Sequence, residues 1–135
     1  MITLSDLEGR WHLSRVIEDA RAGITGRLEG EAVWRPDADG LVQEEVGLLN
    51  YGDAPPMQAS RRYLWRSRGG EIEVLFEDGR AFHTLPDAGA EAVHHCDPDL
   101  YRVTYDFALP GAFTQVWRVT GPRKDAVLAS RFTRL

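Results

Sequence analysis

Along most of the chain, apolar and polar residues alternate. Trp11, Leu13 and Ile17 alternate with His12, Ser14 and Glu18, and Leu28, Ala32 and Trp34 with Glu29, Glu31 and Arg35. The cleanest stretch sets Ile72, Val74 and Phe76 between Glu71, Glu73 and Glu77. A period of two is that of a β-strand with one buried face. Runs over 41–49, 57–67, 80–85, 92–96, 100–107, 113–120 and 127–134 bring the expectation to about ten strands. No window sustains the spacing of a long helix. Only Ser5-Asp6-Leu7-Glu8 reads as a helical turn, with Ser5 as its cap and Glu8 completing a capping box.

The breaks between runs are turn sequences. Asp39-Gly40 and Asp78-Gly79 suit tight hairpins, and Gly69-Gly70, Pro98-Asp99, Pro110-Gly111 and Gly121-Pro122 mark further turns. Links this short join neighbours antiparallel, because a parallel crossover needs a dozen or more residues. The expected fold is all-β, an antiparallel up-and-down barrel of about 8–10 strands, forming one domain over residues 1–135. Closure is expected because it removes exposed edge strands.

Composition narrows the partners. The 16 Lys and Arg against 21 Asp and Glu leave a net charge of −5, which argues against nucleic acid and anionic membranes. Cys96 is the single cysteine, so no disulfide forms within the chain, and a reducing cytoplasmic home is the expectation. The N-terminus lacks the pattern of a signal peptide, and no stretch approaches the roughly 18 apolar residues of a membrane span.

Gly9-Arg10-Trp11, after a helical turn and opening the first strand, is similar to the Gly-x-Trp start of lipocalins and other calycins. That resemblance implies a Trp plugging one end of a barrel under an arginine from the last strand, here Arg131 or Arg134. The chain departs from secreted lipocalins in lacking a cysteine pair, a signal peptide and a C-terminal helix, so their ligands are not carried over. The sequence as a whole also resembles an uncharacterised bacterial domain-of-unknown-function family. Arg62-Tyr63-Leu64-Trp65, residues 76–83, residues 94–102 and residues 117–125 carry that likeness. It implies no activity.

Chemistry concentrates in two groups. The first is His83, His94, Cys96, Tyr101, Arg102 and Tyr105, with Asp99 among them. His94 and Cys96 share a strand face, as do Tyr101 and Tyr105, and His83 meets His94 if Ala81, His83 and Leu85 point inward. The group reads either as a polar floor that orients a ligand or as a satisfied hydrogen-bond network. The second is Arg61, Tyr63 and Trp65 on one face of the fourth strand. An inward Arg61 needs a partner, which is either a ligand carboxylate or phosphate or Glu45 on the neighbouring strand. Arg123-Lys124-Asp125 is either a solvated turn or a charged gate at the open end.

His83, His94 and Cys96 lack zinc-ligand spacing, so no metal site is assigned. The calycin resemblance admits a haem held by His83 or His94, but no cofactor is assigned. Cys96 and His94 stand roughly 6–7 Å apart on one strand, which is long for direct proton transfer. A thiol enzyme is therefore disfavoured. Three readings follow. The leading one is a small-molecule-binding barrel for an anionic or hydrophobic ligand, lined by the nine residues Arg61, Tyr63, Trp65, His83, His94, Cys96, Tyr101, Arg102 and Tyr105. The second is an enzyme using His and Tyr for acid–base chemistry, its catalytic residues unassigned. The third is a packed barrel that pairs with a second copy as a homodimer.

Overall fold

A computed structural model describes residues 2–135. A 3-10 turn over Leu4–Asp6 leads into ten strands: β1 Gly9–Asp19, β2 Ile24–Pro36, β3 Gly40–Tyr51, β4 Met57–Arg68, β5 Glu71–Phe76, β6 Ala81–Thr84, β7 Ala92–Cys96, β8 Asp99–Ala108, β9 Ala112–Gly121 and β10 Lys124–Arg134. All pair antiparallel in the order β6-β5-β4-β3-β2-β1-β10-β9-β8-β7. The first and last strands pair from Trp11 with Arg134 to Asp19 with Ala126, which bends the meander into a ring. The architecture is a nearly closed up-and-down barrel. Pairing is interrupted only between β6 and β7, which adjoin without a hydrogen-bonded ladder.

The turn before β1 is capped differently from the expectation. Thr3, not Ser5, precedes it, and the Thr3 N–H donates to Asp6 Oδ2 at 2.8 Å. Its effect is to deliver Leu7, fully buried, into one end of the barrel.

That end is packed with rings. Trp11, Trp34, Phe113 and Phe132 are all nearly inaccessible. Trp11 meets Phe113 edge-on at 5.1 Å between centroids, Trp34 meets Phe132 at 5.5 Å, and Phe113 stacks on Phe132 at 4.6 Å. These are favourable aromatic geometries. The Trp11 indole N–H donates to the Leu7 carbonyl at 2.9 Å. Of the two arginines expected over Trp11, it is Arg134 that covers it, with its guanidinium carbon 4.0 Å from the ring centroid. The same guanidinium donates to the carbonyls of Asp6, Glu8 and Pro110. Gly9 is required here. Its φ of +124° suits glycine, and a Cβ would stand 3.0 Å from Arg134 Nη1.

A bulge shapes β6. Val74 of β5 pairs with His83, but Leu75 pairs with Ala81, so Phe82 is an extra residue. A bulge sets two consecutive residues opposite one and re-aims a side chain. Phe82 and His83 are consequently both buried while Ala81 is exposed, which corrects the expected inward set of Ala81, His83 and Leu85.

Candidate ligand site

Above the ring-packed plug lies a belt of buried polar groups that strict alternation brings to the axis. On β1 the inward position after Leu13 is Arg15, and on β3 the inward positions after Leu41 are Gln43 and Glu45. Arg15 grips Glu45 with two parallel bonds of 2.9 Å, and its Nε donates to Ser130 Oγ at 2.6 Å. Gln43 donates to Glu45 Oε2 at 2.9 Å and accepts the Trp65 indole N–H at 2.7 Å. A buried ion pair is tolerable only when paired and hydrogen-bonded in this way.

Beside it, Gln115 donates to the Tyr105 hydroxyl at 2.8 Å, leaving the hydroxyl proton for His83 Nε2 at 2.7 Å. Burial, with a smaller contribution from His94, holds the His83 pKa down at about 3, so the ring is neutral. Burial likewise holds the Tyr105 hydroxyl far above its ordinary range. The void against these groups measures about 10 Å³. That is at most room for one water. The belt is therefore closely packed around His83 and Tyr105, with His83 Nδ1 left without a partner among the described residues.

Beyond the belt the axis opens. A chamber of about 530 Å³ lies at the β9–β10 hairpin end, with Trp117, Val119 and Leu128 as apolar wall, Arg61 over the Trp117 ring, and Tyr101 among its lining. Its rim carries Asp19, Arg21, Arg123, Lys124 and Asp125, so the last hairpin does stand at the open end. Several rim charges have partners. Lys124 Nζ lies 3.1 Å from Asp99 and its pKa is raised, chiefly by that bond. Asp19 accepts from the Tyr51 hydroxyl and the Ala22 N–H, which lower its pKa. Arg21 donates to the Pro122 carbonyl at 2.7 Å.

The sequence-derived residues divide among these regions. Trp65, His83 and Tyr105 belong to the polar belt. Arg61 and Tyr101 line the chamber, and Tyr63 stands between belt and chamber, its pKa raised by burial while the Arg61 cation beside it pulls the other way. His94 packs edge-on against Phe82 at 5.4 Å between centroids, near Tyr101. It does not meet His83 directly, since Phe82 touches both rings across the unpaired seam. Cys96 is exposed at the last residue of β7, and Arg102 points outward, 3.9 Å from Glu91. Neither reaches the interior. Among the described residues, no three His, Cys, Asp or Glu side chains converge as metal ligands would. Among the described residues, no helix is long and apolar enough to cross a membrane.

The residues that sequence reasoning missed are Arg15, Gln43, Ser130 and Gln115. Trp117 entered it only as part of a family likeness. Position 15 falls on the inner face set by Trp11, Leu13 and Ile17, so period two pointed to it.

The model of a family described as "Family of unknown function (DUF6314)" matches residues 7–134. The chain belongs to that family. No curated protein matches the DUF6314 sequence. Among solved structures, the S-type phycobiliprotein lyase CPES from Guillardia theta is similar at a TM-score of 0.65 and 10% identity, covering 98% of this chain and 90% of that one. The redesigned β-barrel mFAP1 bound to DFHBI is similar at a TM-score of 0.46 and 16% identity, over 97% of each chain. A de novo designed fluorescence-activating β-barrel reaches 0.49 at 14% identity over 100% of each. At 10% identity the likeness to the lyase is one of fold: the DUF6314 chain and the lyase share a barrel.

Proposed function

We propose that this DUF6314 barrel binds a small molecule in the chamber at its β9–β10 end. One observation carries the reading. The axis is filled by rings and a closely packed polar belt over most of its length, then opens into about 530 Å³. Ligand sites of soluble proteins run from about 300 to 1,000 Å³ and are mostly apolar with a few placed polar groups. Trp117, Val119 and Leu128 supply the apolar wall, and Arg61 and Tyr101 the polar groups. The phycobiliprotein lyase is a precedent for this fold performing a chemical task, not for the ligand.

The packed His83–Tyr105 pair does not support acid–base catalysis, because its nitrogen and hydroxyl are bonded to each other with no space for a substrate. His94 is the ring left near the seam, outside the chamber wall.

The test uses flat two-ring probes, 2-naphthoate and 2-naphthamide, followed by quenching of tryptophan fluorescence. Trp117 walls the chamber, so saturable quenching is expected from at least one probe. Leu128→Trp fills the space and is expected to abolish it. Linear, unsaturable quenching by both probes in the native protein overturns the proposal.

A further inference from the structure

Resting on the chamber reading, we infer that the ligand presents an oxyanion, a carboxylate or phosphate on a flat apolar body, and that Arg61 is its anchor.

The argument begins with the strand register. Arg61 is inward on β4 and sits directly across from Glu45 of β3. Adjacent strands with opposite charges at one register position normally neutralise each other. Here they do not. Both Glu45 oxygens are held by Arg15, one of them also by Gln43. The acid that the register offers to Arg61 has been taken by an arginine from two strands away.

What remains beside Arg61 is the face of Trp117, with the guanidinium carbon 5.2 Å from the ring centroid. Among the described residues, no carboxylate stands at ion-pair distance from it. Its basic neighbours toward the β5–β6 hairpin are already matched, Arg62 with Glu44 and Glu77, and Arg80 with Asp78. An aromatic face offsets only part of the cost of desolvating a guanidinium. Beyond a contact with the Tyr63 hydroxyl, the planar fork keeps N–H donors without a carboxylate, and such a fork fits a carboxylate or phosphate with two parallel bonds. The rim does not supply the same attraction. Arg21, Arg123 and Lys124 are balanced there by Asp19, Asp125 and the Asp99 bonded to Lys124. The charge that selects a ligand is therefore the one on the chamber wall, and the indole stacked on it favours a flat body.

The experiment compares 2-naphthoate, 2-naphthamide and 2-naphthyl phosphate on the native protein, Arg61→Gln and Arg61→Lys. The native protein is expected to prefer an oxyanion over the isosteric amide by about tenfold or more. Arg61→Gln is expected to keep amide binding and lose the preference, while Arg61→Lys, which preserves the charge, retains part of it. The tighter of the two oxyanions assigns the carboxylate or the phosphate class. Equal affinity of the native protein for acid and amide overturns the inference and leaves the chamber standing. So does a preference that survives Arg61→Gln, which would place the attraction on the rim. Absence of saturable binding by all three probes overturns the chamber itself.

Discussion

At the Gly9 end of the barrel, Trp11, Trp34, Phe113 and Phe132 interlock and Arg134 lies over Trp11, its guanidinium bonded to three carbonyls. At the hairpin end a second arginine, Arg61, also rests on a tryptophan, but with no bonded carbonyl or carboxylate and with a chamber beside it. The two pairs show what a cation on an indole means in different surroundings. With its donors all spent, the arginine is a clamp. With donors left over and space in front, it is the anchor the proposed site calls for. The belt built on Arg15 and Glu45 keeps the two ends apart.

Truncations on either side sharpen this contrast. Phe113→Ala, in the plug, is expected to cost about 3–5 kcal/mol, because packed rings collapse poorly around a cavity. Leu128→Ala, on the chamber wall, is expected to cost about 1–2 kcal/mol, toward or below the low end of the range for such truncations, since part of its surface already faces open space. Urea unfolding of the two variants measures the difference, and equal costs would mean that the chamber end is packed as tightly as the plug.

Glu45→Ala tests the belt, leaving Arg15 buried and unpaired at an expected cost of about 3–5 kcal/mol. The double change Arg15→Met with Glu45→Leu is expected to recover most of that loss. A double variant as unstable as the single one would assign the belt a role beyond its mutual pairing.

The remaining prediction concerns pH dependence. The folded-state pKa of His83, about 3, lies below its unfolded value of 6.5. The unfolded chain thus binds the extra proton between these values, and stability is lost as pH falls from 6.5 toward 3. The slope is at most about 1.4 kcal/mol per pH unit for one proton. The carboxylates with lowered pKa, Asp19, Asp37 and Asp78, respond from about pH 5 downward, so the window from 6.5 to about 5 belongs to His83 with a smaller share from His94. His83→Phe is expected to flatten that limb of the urea midpoint against pH. An unchanged limb would show that His83 is not sealed.

The fold was legible because alternation and turn residues are local. The ten strands lie close to where period two places them, and Gly9-Arg10-Trp11 foretold the plug. The site was legible only in part. The face shared by Arg61, Tyr63 and Trp65 followed from spacing, and so did the choice Arg61 faced between Glu45 and a ligand. What decided that choice, Arg15, sits three strands from Arg61 and two from Glu45, and no local pattern reports it. On β3 the outward face carries Val42, Val46 and Leu48, two of them about half exposed, so the apolar residues there hide the inward Gln43 and Glu45. Cys96 and Arg102 failed for different reasons. Cys96 is the exposed last residue of a terminal strand. Arg102 alternates with Tyr101 and Val103, so the period that places those two inside places it outside.

The break between β6 and β7 has a mechanical consequence. Everywhere else, widening the barrel means tearing a ladder of backbone hydrogen bonds. Along this line the girth is held by side chains alone, Phe82 against His94 and Tyr101 and the hydrogen bond between His83 and Tyr105. Both bordering strands are short, four and five residues, and offer little edge to a foreign chain. The wall therefore carries one seam that no backbone ladder closes, lying beside Tyr101 of the chamber.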